Sequence, residues 1–374
     1  MSRAEVAIID LLRKNEEHYV FNSLTIKAIS EENNASVWLS DDATLIDELM
    51  SDVKVNKINV TRTKLYFWLY STLHLAIILL KLPKTISSVF ILSATPLQYA
   101  ILSVLSLIIR PKIFLFMHGE LGYLKTPFGL GQKLGRLFIS LGLSFGNVKF
   151  ICISSSIHES LSQLFANRKF YYVQHPIFTH EKSPKGTKDI NFGSFGIQSE
   201  NKGSDRIYEL ENYVSSMHLK CLRLITVGVS DGGFIYDKST NVQHLCRGYL
   251  KESLISKDEF YSNVQKIDVA LIFSSQATIS DTTYDLVSSG VFADCIAFDM
   301  PVIAMRNKQL SHYFERYGQF GFLCDSVKEM ADAVQEITQN RELLDKFKSV
   351  LSKVREDFKF ENYKVRIAEI MRNE

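Results

Sequence analysis

The segment from Asp281 to Met305 contains the residues whose types and spacing are best suited to binding an anion. A polar stretch ends in Ser288-Ser289-Gly290, and an apolar helical pattern follows it directly. A serine and a glycine at a helix start leave free backbone N–H groups, and the helix dipole adds to their attraction for negative charge. We therefore predict that Ser289 caps this helix and that Gly290 lets a phosphate group approach the backbone.

Two further polar positions in the second half of the chain follow apolar strands. Lys202-Gly203 stands just before a predicted helix, and its lysine is a compact positive charge that suits a phosphate. Ser275 comes soon after the strand Val269–Phe273. Residues that directly follow parallel strands line ligand sites in α/β sheets, so we expect both positions to face a ligand.

The first half carries a comparable set of polar residues after its predicted strands. His118-Gly119-Glu120 directly follows the apolar strand Lys112–Met117. The unperturbed pKa of histidine lies near working pH, so His118 is a candidate to orient or deprotonate a hydroxyl group. Gly119 lets a ligand approach the backbone, and Glu120 is a candidate acid beside it. The loop after the first strand adds two more candidates, His18 and Asn22.

Short apolar strands alternate with helical segments in both halves, which predicts the elements that position these residues. Such alternation indicates parallel sheets covered by helices on both faces. We therefore predict an α/β fold with two Rossmann-like, doubly wound parallel-sheet domains that face a cleft. The predicted strands of the first half are Glu5–Leu12, Ala35–Leu39, Lys57–Val60, Ser88–Ser93, Lys112–Met117 and Val148–Ser154, with a helix predicted over Ala43–Asp52.

The domain boundaries follow from a polar segment near the middle of the chain. Residues 181–189 contain Pro184 and Gly186 without apolar periodicity, which predicts a linker. Residues 1–180 form the first predicted domain and residues 190–355 the second. A helix in residues 356–374 is a candidate to pack back onto the first domain.

Charge is distributed unevenly along the chain. The formal net charge is +2, yet residues 53–180 hold 14 basic and 2 acidic side chains, a net of +12. Such a block favours a polyanionic partner, either a phosphorylated ligand, an anionic membrane or a nucleic acid. We exclude nucleic acid, because no helix-turn-helix, RNA-recognition or zinc-finger pattern accompanies the charge.

The apolar segment 65–82 has lysines on both sides and lies between two predicted strands. A spanning helix would separate the following strand from its sheet, so we predict a helix packed on the domain, with a membrane span as the alternative. Its aromatic and basic flanks would also suit partial insertion into a membrane interface. The five cysteines lack a CxxC pair and no signal-peptide pattern precedes the first strand, which favours the cytoplasm.

The segment from Asp281 to Met305 resembles the donor-binding signature of family 4 glycosyltransferases, which have the GT-B fold. In that signature a Glu-x7-Glu motif accompanies a small-apolar helix, and Pro-Val-Ile-Ala stands seven residues after the second acid. Asp294 stands seven residues before Pro301, so it matches the second acid, which holds the ribose of the donor. The first-acid position falls on Leu286, and the Ser-Gly turn is similar to that of a divergent branch.

A second match follows the strand Ile190–Phe195. Members of the family have a glycine–arginine turn there and a Lys-Gly pair before the helix, and both cations clamp the donor diphosphate. Gly196 and Lys202-Gly203 match this pattern, whereas the arginine position falls on Ile197. Many members also have a histidine or an acid at the position of His118.

The resemblance implies a glycosyltransferase that uses a nucleotide sugar as co-substrate, without a cofactor or metal. Residues 190–355 would bind the donor, and residues 1–180 would bind a saccharide acceptor. His118, Lys202 and Asp294 would be the catalytic residues, with Lys202 and the N–H groups near Gly290 stabilising charge on the departing diphosphate. The family mostly retains anomeric configuration. By analogy, the acceptor would be lipid-linked, at the inner face of the plasma membrane, in surface polysaccharide assembly.

Two other interpretations stay open. The departures at Leu286 and Ile197 would suit a non-catalytic homologue that serves as a scaffold or regulatory partner. Another enzyme with two Rossmann domains, such as a sugar-nucleotide epimerase or an NAD-dependent oxidoreductase, is the second alternative. The oxidoreductase is disfavoured because no GxGxxG follows the first strand.

Overall fold

The computed structural model describes residues 3–13, 18–46, 53–60, 66–124, 129–178, 189–245, 248–249, 255–274, 286 and 290–374. The chain divides into two compact units. The first unit comprises Met1–Ile177, Asp285–Ser288 and Phe358–Glu374, and the second comprises Phe178–Tyr284 and Ser289–Asp357. Most of the predicted linker, residues 181–188, lies outside the described residues.

Each unit is built on one parallel sheet. The first sheet has seven strands in the order β3-β2-β1-β4-β5-β6-β7, and the second has six in the order β10-β9-β8-β11-β12-β13. The strands are β1 (Glu5–Asp10), β2 (Asn34–Ser40), β3 (Lys54–Ile58), β4 (Ile86–Ile91), β5 (Lys112–Met117), β6 (Lys149–Cys152), β7 (Phe170–Tyr172), β8 (Ile190–Phe195), β9 (Leu222–Val227), β10 (Gln243–Leu245), β11 (Val269–Ile272), β12 (Val302–Met305) and β13 (Gly321–Cys324).

Helices connect the strands in both units. The described helices are α1 (Tyr19–Ser30), α2 (Phe67–Lys81), α3 (Pro96–Leu105), α4 (Leu130–Ser144), α5 (Ser155–Leu164), α6 (Arg206–Ser216), α7 (Lys257–Val264), α8 (Gly290–Ala297), α9 (Lys308–Tyr317), α10 (Val327–Gln339), α11 (Glu342–Phe358) and α12 (Phe360–Arg372). The predicted fold class is confirmed, because both units are α/β with parallel sheets.

The strands are apolar on both sides because each sheet is covered on both faces. In the first unit one buried cluster joins the sheet to α2, α3, α4 and α5, and another joins it to α1 and α12. Thr95 and Gln98 form a capping box at the start of α3, with Pro96 as its first residue. These caps satisfy N–H groups that the helix itself leaves unpaired.

The order of the strands indicates which edge of each sheet would receive a ligand. In the first unit, strands are added on one side of β1 up to β3, and the chain then crosses to the other side of β1 to form β4. In the second unit, the same change of side occurs between β8 and β11. In open α/β sheets, ligands bind outside the carboxyl ends of the strands at such a switch point. The residues that directly follow these four strands are therefore the candidates for ligand contact.

Helix α12 lies far along the chain yet packs in the first unit, against α1. The Tyr363 hydroxyl and the Thr25 hydroxyl form a buried hydrogen bond of 2.7 Å. Tyr363 and Ile367 are also buried in the same apolar cluster as Phe21 of α1. The chain thus returns to the first unit at Phe358.

One predicted element is wrong and three were not predicted. Ala43–Ile46 is not helical, because tertiary hydrogen bonds hold this stretch: the Ile46 N–H donates to the Ser23 hydroxyl at 2.8 Å, and the Lys57 ammonium donates to the Ala43 carbonyl. The rest of the predicted helix, residues 47–52, lies outside the described residues. Strand β10, helix α9 and strand β13 were not predicted. Within the described residues, no helix combines the length and hydropathy needed to cross a membrane.

Candidate functional site

Asp10 organises the polar residues at the switch point of the first unit. It ends β1 with 1% of its surface exposed. Its carboxylate accepts hydrogen bonds from the Leu12 N–H at 3.0 Å, the Arg13 N–H at 3.3 Å, the Asn22 amide at 2.9 Å and the Ser93 hydroxyl at 2.6 Å. A single buried carboxylate thus joins the end of β1, the following loop, helix α1 and the end of β4.

His118 lies in the same region of the first unit, directly after β5, with 3% of its surface exposed. Its Nε2 lies 2.8 Å from the Leu92 carbonyl oxygen. A carbonyl only accepts, so Nε2 carries the proton and Nδ1 keeps its lone pair. Burial lowers the pKa of His118 well below its ordinary value, and the charge of Arg13 lowers it further. The imidazole is therefore neutral near pH 7 and offers Nδ1 as a proton acceptor.

Two more imidazoles lie close to His118. The rings of His18 and His118 are 4.7 Å apart, and both His118 and His175 pack against Phe21, at 4.9 and 5.3 Å. Loss of hydration lowers the pKa of His18 well below its usual value, and burial lowers the pKa of His175 to about 4. Since all three rings are neutral near pH 7, they pack without repelling one another.

The backbone of His18 is unusual. It precedes α1 with a φ of 57°, a left-handed conformation that few residues other than glycine adopt. Such strain persists only when surrounding contacts enforce it, and it concentrates at functional sites. By its accessible surface, His18 as a whole residue is exposed.

Glu120 is held by its neighbours. Its Oε1 accepts hydrogen bonds from the Tyr99 hydroxyl at 2.6 Å and from the His118 N–H at 3.0 Å. Burial raises the pKa of Glu120, while these hydrogen bonds oppose the rise. The carboxylate thereby fixes the backbone of His118. Gly119 between them faces open space, since an added Cβ would meet nothing within 4 Å.

Asn22 contains an unsatisfied acceptor. Its amide nitrogen donates to Asp10, but its Oδ1 is buried and has no hydrogen-bond partner among the described residues. A buried acceptor without a partner costs free energy on the order of 1–3 kcal/mol, which a ligand hydroxyl would recover. The first-unit cluster, defined as Asp10, His18, Asn22, His118 and Glu120, thus contains a buried acceptor without a partner in the described chain.

The second unit places Lys202-Gly203 in a tight turn after β8. The Ser199 hydroxyl accepts the Lys202 N–H at 3.2 Å, and Gly203 has a φ of 67°. A Cβ at Gly203 would lie 3.2 Å from the Phe273 carbonyl oxygen, so the turn lies against the end of β11. Glycine is therefore required here both for its backbone conformation and for this close approach.

The Lys202 ammonium is partly desolvated. Burial lowers the pKa of Lys202, and the charge of Asp231 opposes this effect. Within the described part of the chain, the Lys202 ammonium makes no ion pair or hydrogen bond. A desolvated cation without a partner binds an anionic ligand strongly, because the local dielectric is low.

Gly196 is close to the first turn of α8. Its φ is 96°, and a Cβ at Gly196 would lie 3.5 Å from Val291 Cγ2. On its other side, a Cβ at Gly228 would lie 2.0 Å from the Gly196 carbonyl oxygen. Ile197, at the position of the clamp arginine, is 41% exposed. The loop after β8 is therefore packed tightly against the end of β9, and it lies close to the first turn of α8 without crowding it.

Helix α8 begins at Gly290, where an added Cβ would meet nothing within 4 Å. Asp294 stands one helical turn later and is half-buried, and burial raises its pKa to about 7. Leu286, at the first-acid position, is fully buried. The predicted Ser275 and the predicted cap Ser289 lie outside the described residues.

The structure brings several predicted residues together within each unit. In the first, His18 contacts His118, Glu120 supports His118, and Asn22 is held by Asp10 at the end of β1. In the second, Gly196 lies against α8 and Gly203 lies against β11. The second-unit cluster is defined by the residues Gly196, Lys202, Gly203, Gly290 and Asp294.

Sequence reasoning missed Asp10, Tyr99 and Ser93, which hold the first-unit cluster. The acidic end of Glu5–Asp10 was the available signal, because an acid directly after an apolar strand faces the carboxyl edge of the sheet. Nothing in the sequence indicated the bond between Tyr99 and Glu120, because it joins residues on separate elements. Among the described residues, no group of three or more His, Cys, Asp or Glu side chains is placed to hold a metal ion.

Solved structures with the same fold were found by comparison. The Anabaena protein HepE in complex with UDP-glucose has a TM-score of 0.68 and 12% sequence identity, over 99% of this chain and 100% of HepE. WaaG, a glycosyltransferase involved in lipopolysaccharide biosynthesis, has a TM-score of 0.63 and 11% identity, over 98% of this chain and 99% of WaaG. The α,α-trehalose 6-phosphate synthase of Burkholderia multivorans has a TM-score of 0.66 and 10% identity, over 100% of this chain and 99% of the synthase.

These three similarities extend over nearly the full length of both chains in each pair. No protein-family model matches the sequence, and no curated protein matches it. The similarity is therefore one of structure, at identities too low to carry an activity across. It shows that the chain has the GT-B fold.

Proposed function

We propose that this protein is a glycosyltransferase that moves a sugar from a nucleotide-sugar donor to a saccharide acceptor. The observation that carries the proposal is the second-unit cluster: a desolvated lysine, unpaired within the described chain, and a glycine-started helix lie at the carboxyl ends of β8 and β11. These are the groups that a nucleotide diphosphate needs, at the switch point where a parallel sheet binds its ligand.

The donor diphosphate is bound by Lys202 and by the N–H groups that begin α8. During transfer the bond between the sugar carbon and the phosphate oxygen breaks, so negative charge grows on the departing diphosphate. A cation and helix N–H groups fixed in place stabilise that charge without reorganising, and such stabilisation accounts for most of the rate enhancement in many enzymes. This arrangement supports a reaction that needs no metal ion. Asp294 holds the ribose, one helical turn further along α8.

The acceptor is bound by the first unit. A new bond forms between an acceptor oxygen and the sugar carbon, and the acceptor hydroxyl loses its proton. His118 Nδ1 is the proposed proton acceptor, because Nε2 is committed to the Leu92 carbonyl and burial keeps the ring neutral. Gly119 leaves space above the backbone, and His18 and the Asn22 Oδ1 position the acceptor hydroxyls. We propose that transfer retains the anomeric configuration.

The charge distribution supports a proposal about the chemical class of the acceptor and where it is held. The +12 block in residues 53–180 favours an anionic surface, and WaaG, which shares the fold, is involved in lipopolysaccharide biosynthesis. We propose a lipid-linked saccharide acceptor, peripheral contact with the cytoplasmic face of the membrane, and a role in surface polysaccharide assembly.

A thermal-shift screen of UDP-, GDP- and dTDP-sugars tests the donor, and UDP-sugars come first because HepE was solved with UDP-glucose. A cognate donor at 100 times its Kd should stabilise the chain by about 2.7 kcal/mol. Transfer should fall roughly 10²–10³-fold in Lys202→Ala. The matched control is Lys346→Ala, which removes an exposed lysine of α11 and should leave transfer unchanged.

The alternative is a non-catalytic GT-B homologue that serves as a scaffold or regulatory partner. The observation in its favour is that an exposed Ile197 and a buried Leu286 stand where the family places a cation and an acid. A folded chain that binds no nucleotide sugar, or a Lys202→Ala variant that transfers as well as the parent, would favour this alternative.

A further inference from the structure

Helix α2 has two apolar faces, one buried and one exposed. Successive helical residues are about 100° apart, so residues three, four and seven apart share a face. The buried face contains Leu75 and Leu79 together with the small polar Ser71 and Thr72. The opposite face is exposed and consists of Tyr66, Leu69, Tyr70, Leu73, Ile77 and Leu80. A helix that only covers its own domain would be polar on that side.

Helix α4 repeats the pattern. Ile139 and Leu143 are buried with Gly135 and Gly142, while the opposite face is exposed and apolar. The exposed row is Leu130, Leu134, Leu137 and Leu141, followed by Phe145 just after the helix. Leucine recurs at spacings of four, three and four residues, so the row runs straight along the helix.

Helix α3 lies between these two helices and packs against both. It packs closely on α4, because the Ser103 hydroxyl donates to the Gly142 carbonyl at 2.6 Å. Val104, Leu107 and Ile108 at its end are exposed. These three side chains, together with the exposed apolar rows of α2 and α4 through Phe145, form what we call the α2–α4 face.

This concentration of apolar surface is specific to one region. Fourteen of the 21 large hydrophobic side chains that are exposed among the described residues lie on the α2–α4 face. Single exposed apolar residues are ordinary, but a contiguous set marks a surface that a membrane or another protein covers.

The charge around the face is of one sign. Lys81, Lys84, Arg110, Lys133 and Arg136 are exposed around it. From Val53 to His158 the sequence contains a single acid, Glu120, and its carboxylate is bonded to Tyr99 and the His118 N–H. A second copy of this all-basic face would bring like charges together, whereas anionic lipid headgroups would neutralise them.

We propose that the α2–α4 face docks on an anionic lipid bilayer, with its leucines in the acyl boundary and its lysines and arginines at the headgroups. Helices α2 and α4 have 15 residues each. At about 22 Å they are shorter than the hydrocarbon core of about 30 Å, so they lie in the plane of the interface rather than span it. The inference rests on the membrane contact proposed above and is independent of the donor and the chemistry of transfer.

The test is flotation of the full chain with vesicles of phosphatidylcholine, with or without phosphatidylglycerol, in the absence of donor and acceptor. We expect binding to the vesicles that contain phosphatidylglycerol, weakened as salt rises from about 0.1 M to about 1 M. The variant Leu73→Ser/Leu80→Ser/Leu137→Ser should bind at least about tenfold more weakly. Its control, Leu164→Ser/Ile235→Ser/Val365→Ser, removes exposed apolar residues elsewhere and should bind like the parent.

Charge is tested separately. Lys84→Glu/Arg110→Glu should also weaken binding about tenfold, while Lys346→Glu/Lys353→Glu, which changes exposed lysines of α11, should not. Circular dichroism and thermal unfolding establish that each variant is folded. Thermal stabilisation of the triple-serine variant by the donor separates this proposal from the proposed function. A variant that no longer binds vesicles should still be stabilised by the donor as the parent is.

Two results would overturn the proposal. One is a full chain that does not float with either kind of vesicle. The other is a parent chain that is dimeric by light scattering and a triple-serine variant that is monomeric yet binds vesicles as well as the parent. A second copy of the chain, rather than lipid, would then cover the face.

Discussion

The two clusters are built in opposite ways. The first-unit cluster is held by side chains that satisfy one another, with Asp10 accepting four hydrogen bonds and Glu120 accepting two. The second-unit cluster is held by backbone geometry, with Gly196, Gly203 and Gly228 at positive φ, and the side chains of Lys202 and Asp294 have no partner within the described chain. The first cluster therefore depends on hydrogen bonds between side chains, whereas the second leaves two ionisable side chains without a protein partner among the described residues.

Gly228→Ala tests whether backbone geometry holds the second-unit cluster. The added Cβ would lie 2.0 Å from the Gly196 carbonyl oxygen at a φ of 132°, so strand β9 and the loop after β8 must separate. We expect a loss of about 4 kcal/mol in the free energy of unfolding, measured by denaturant titration. Gly232→Ala is the control, with a φ of 104° but nothing within 4 Å, and should cost about 1–2 kcal/mol. Equal losses in the two variants would mean that close packing plays no part.

Asp10→Ala tests whether side-chain hydrogen bonds hold the first-unit cluster. The change leaves the Leu12 and Arg13 N–H groups, the Asn22 amide and the Ser93 hydroxyl without their acceptor. We expect a loss of about 3 kcal/mol in unfolding free energy. Asp41→Ala removes an exposed acid and should change stability by less than about 0.5 kcal/mol. If both variants unfold alike, Asp10 does not organise the cluster.

Asp294→Asn tests the unsatisfied charge of the second unit through pH. Burial raises the folded-state pKa of Asp294 to about 7, above its unfolded value, so the folded chain binds the proton more tightly. This contribution favours folding at low pH and is lost as pH rises from about 4 to about 7. The side chain is partly hydrated, so we expect Asn to raise stability at pH 8 by about 2 kcal/mol and to flatten this dependence.

The control for that measurement is Asp325→Asn, where the sign is reversed. The hydrogen bond from Arg306 lowers the pKa of Asp325, so its contribution is present at neutral pH and lost as pH falls. Asp325→Asn should therefore weaken stability at neutral pH rather than raise it. The raised pKa would be contradicted if the parent lost no stability between pH 4 and pH 7 and the stability of Asp294→Asn had the same pH dependence.

Tyr99→Phe sharpens the account of the first-unit cluster with a smaller effect. It removes the hydroxyl that donates to Glu120 at 2.6 Å and should cost about 1 kcal/mol of unfolding free energy. Tyr171→Phe is the matched control, because the Tyr171 hydroxyl is buried without a partner in the described chain and its removal should be neutral or stabilising. Equal costs would show that the bond to Glu120 contributes nothing.

Sequence reasoning succeeded where apolar runs are continuous. Lys112–Met117 and Ile190–Phe195 were predicted to the residue, since buried parallel strands read as unbroken apolar segments. That success also placed His118 and Lys202 at the carboxyl edges of their sheets. The prediction that these residues bind acceptor and donor stays a prediction.

It failed where the deciding interactions are distant in sequence. A helix was predicted over Ala43–Asp52, but the Ser23 hydroxyl, over twenty positions before Ile46, accepts the Ile46 N–H. The three residues of β10 are too few to show a pattern, and α9 buries only Gln309, Leu310 and Tyr313 on an otherwise polar helix. The support that Tyr99 gives Glu120 had no local signal either.

The return of the chain to the first unit has a consequence for the order of synthesis. Helix α12 supplies Tyr363 and Ile367 to the core beside α1, so the first unit lacks part of its interior until residues 358–374 have left the ribosome. The second unit has all of its residues earlier. During translation α1 therefore keeps an uncovered apolar surface throughout the time in which the second unit is being made, and a chain interrupted before Phe358 would never close it.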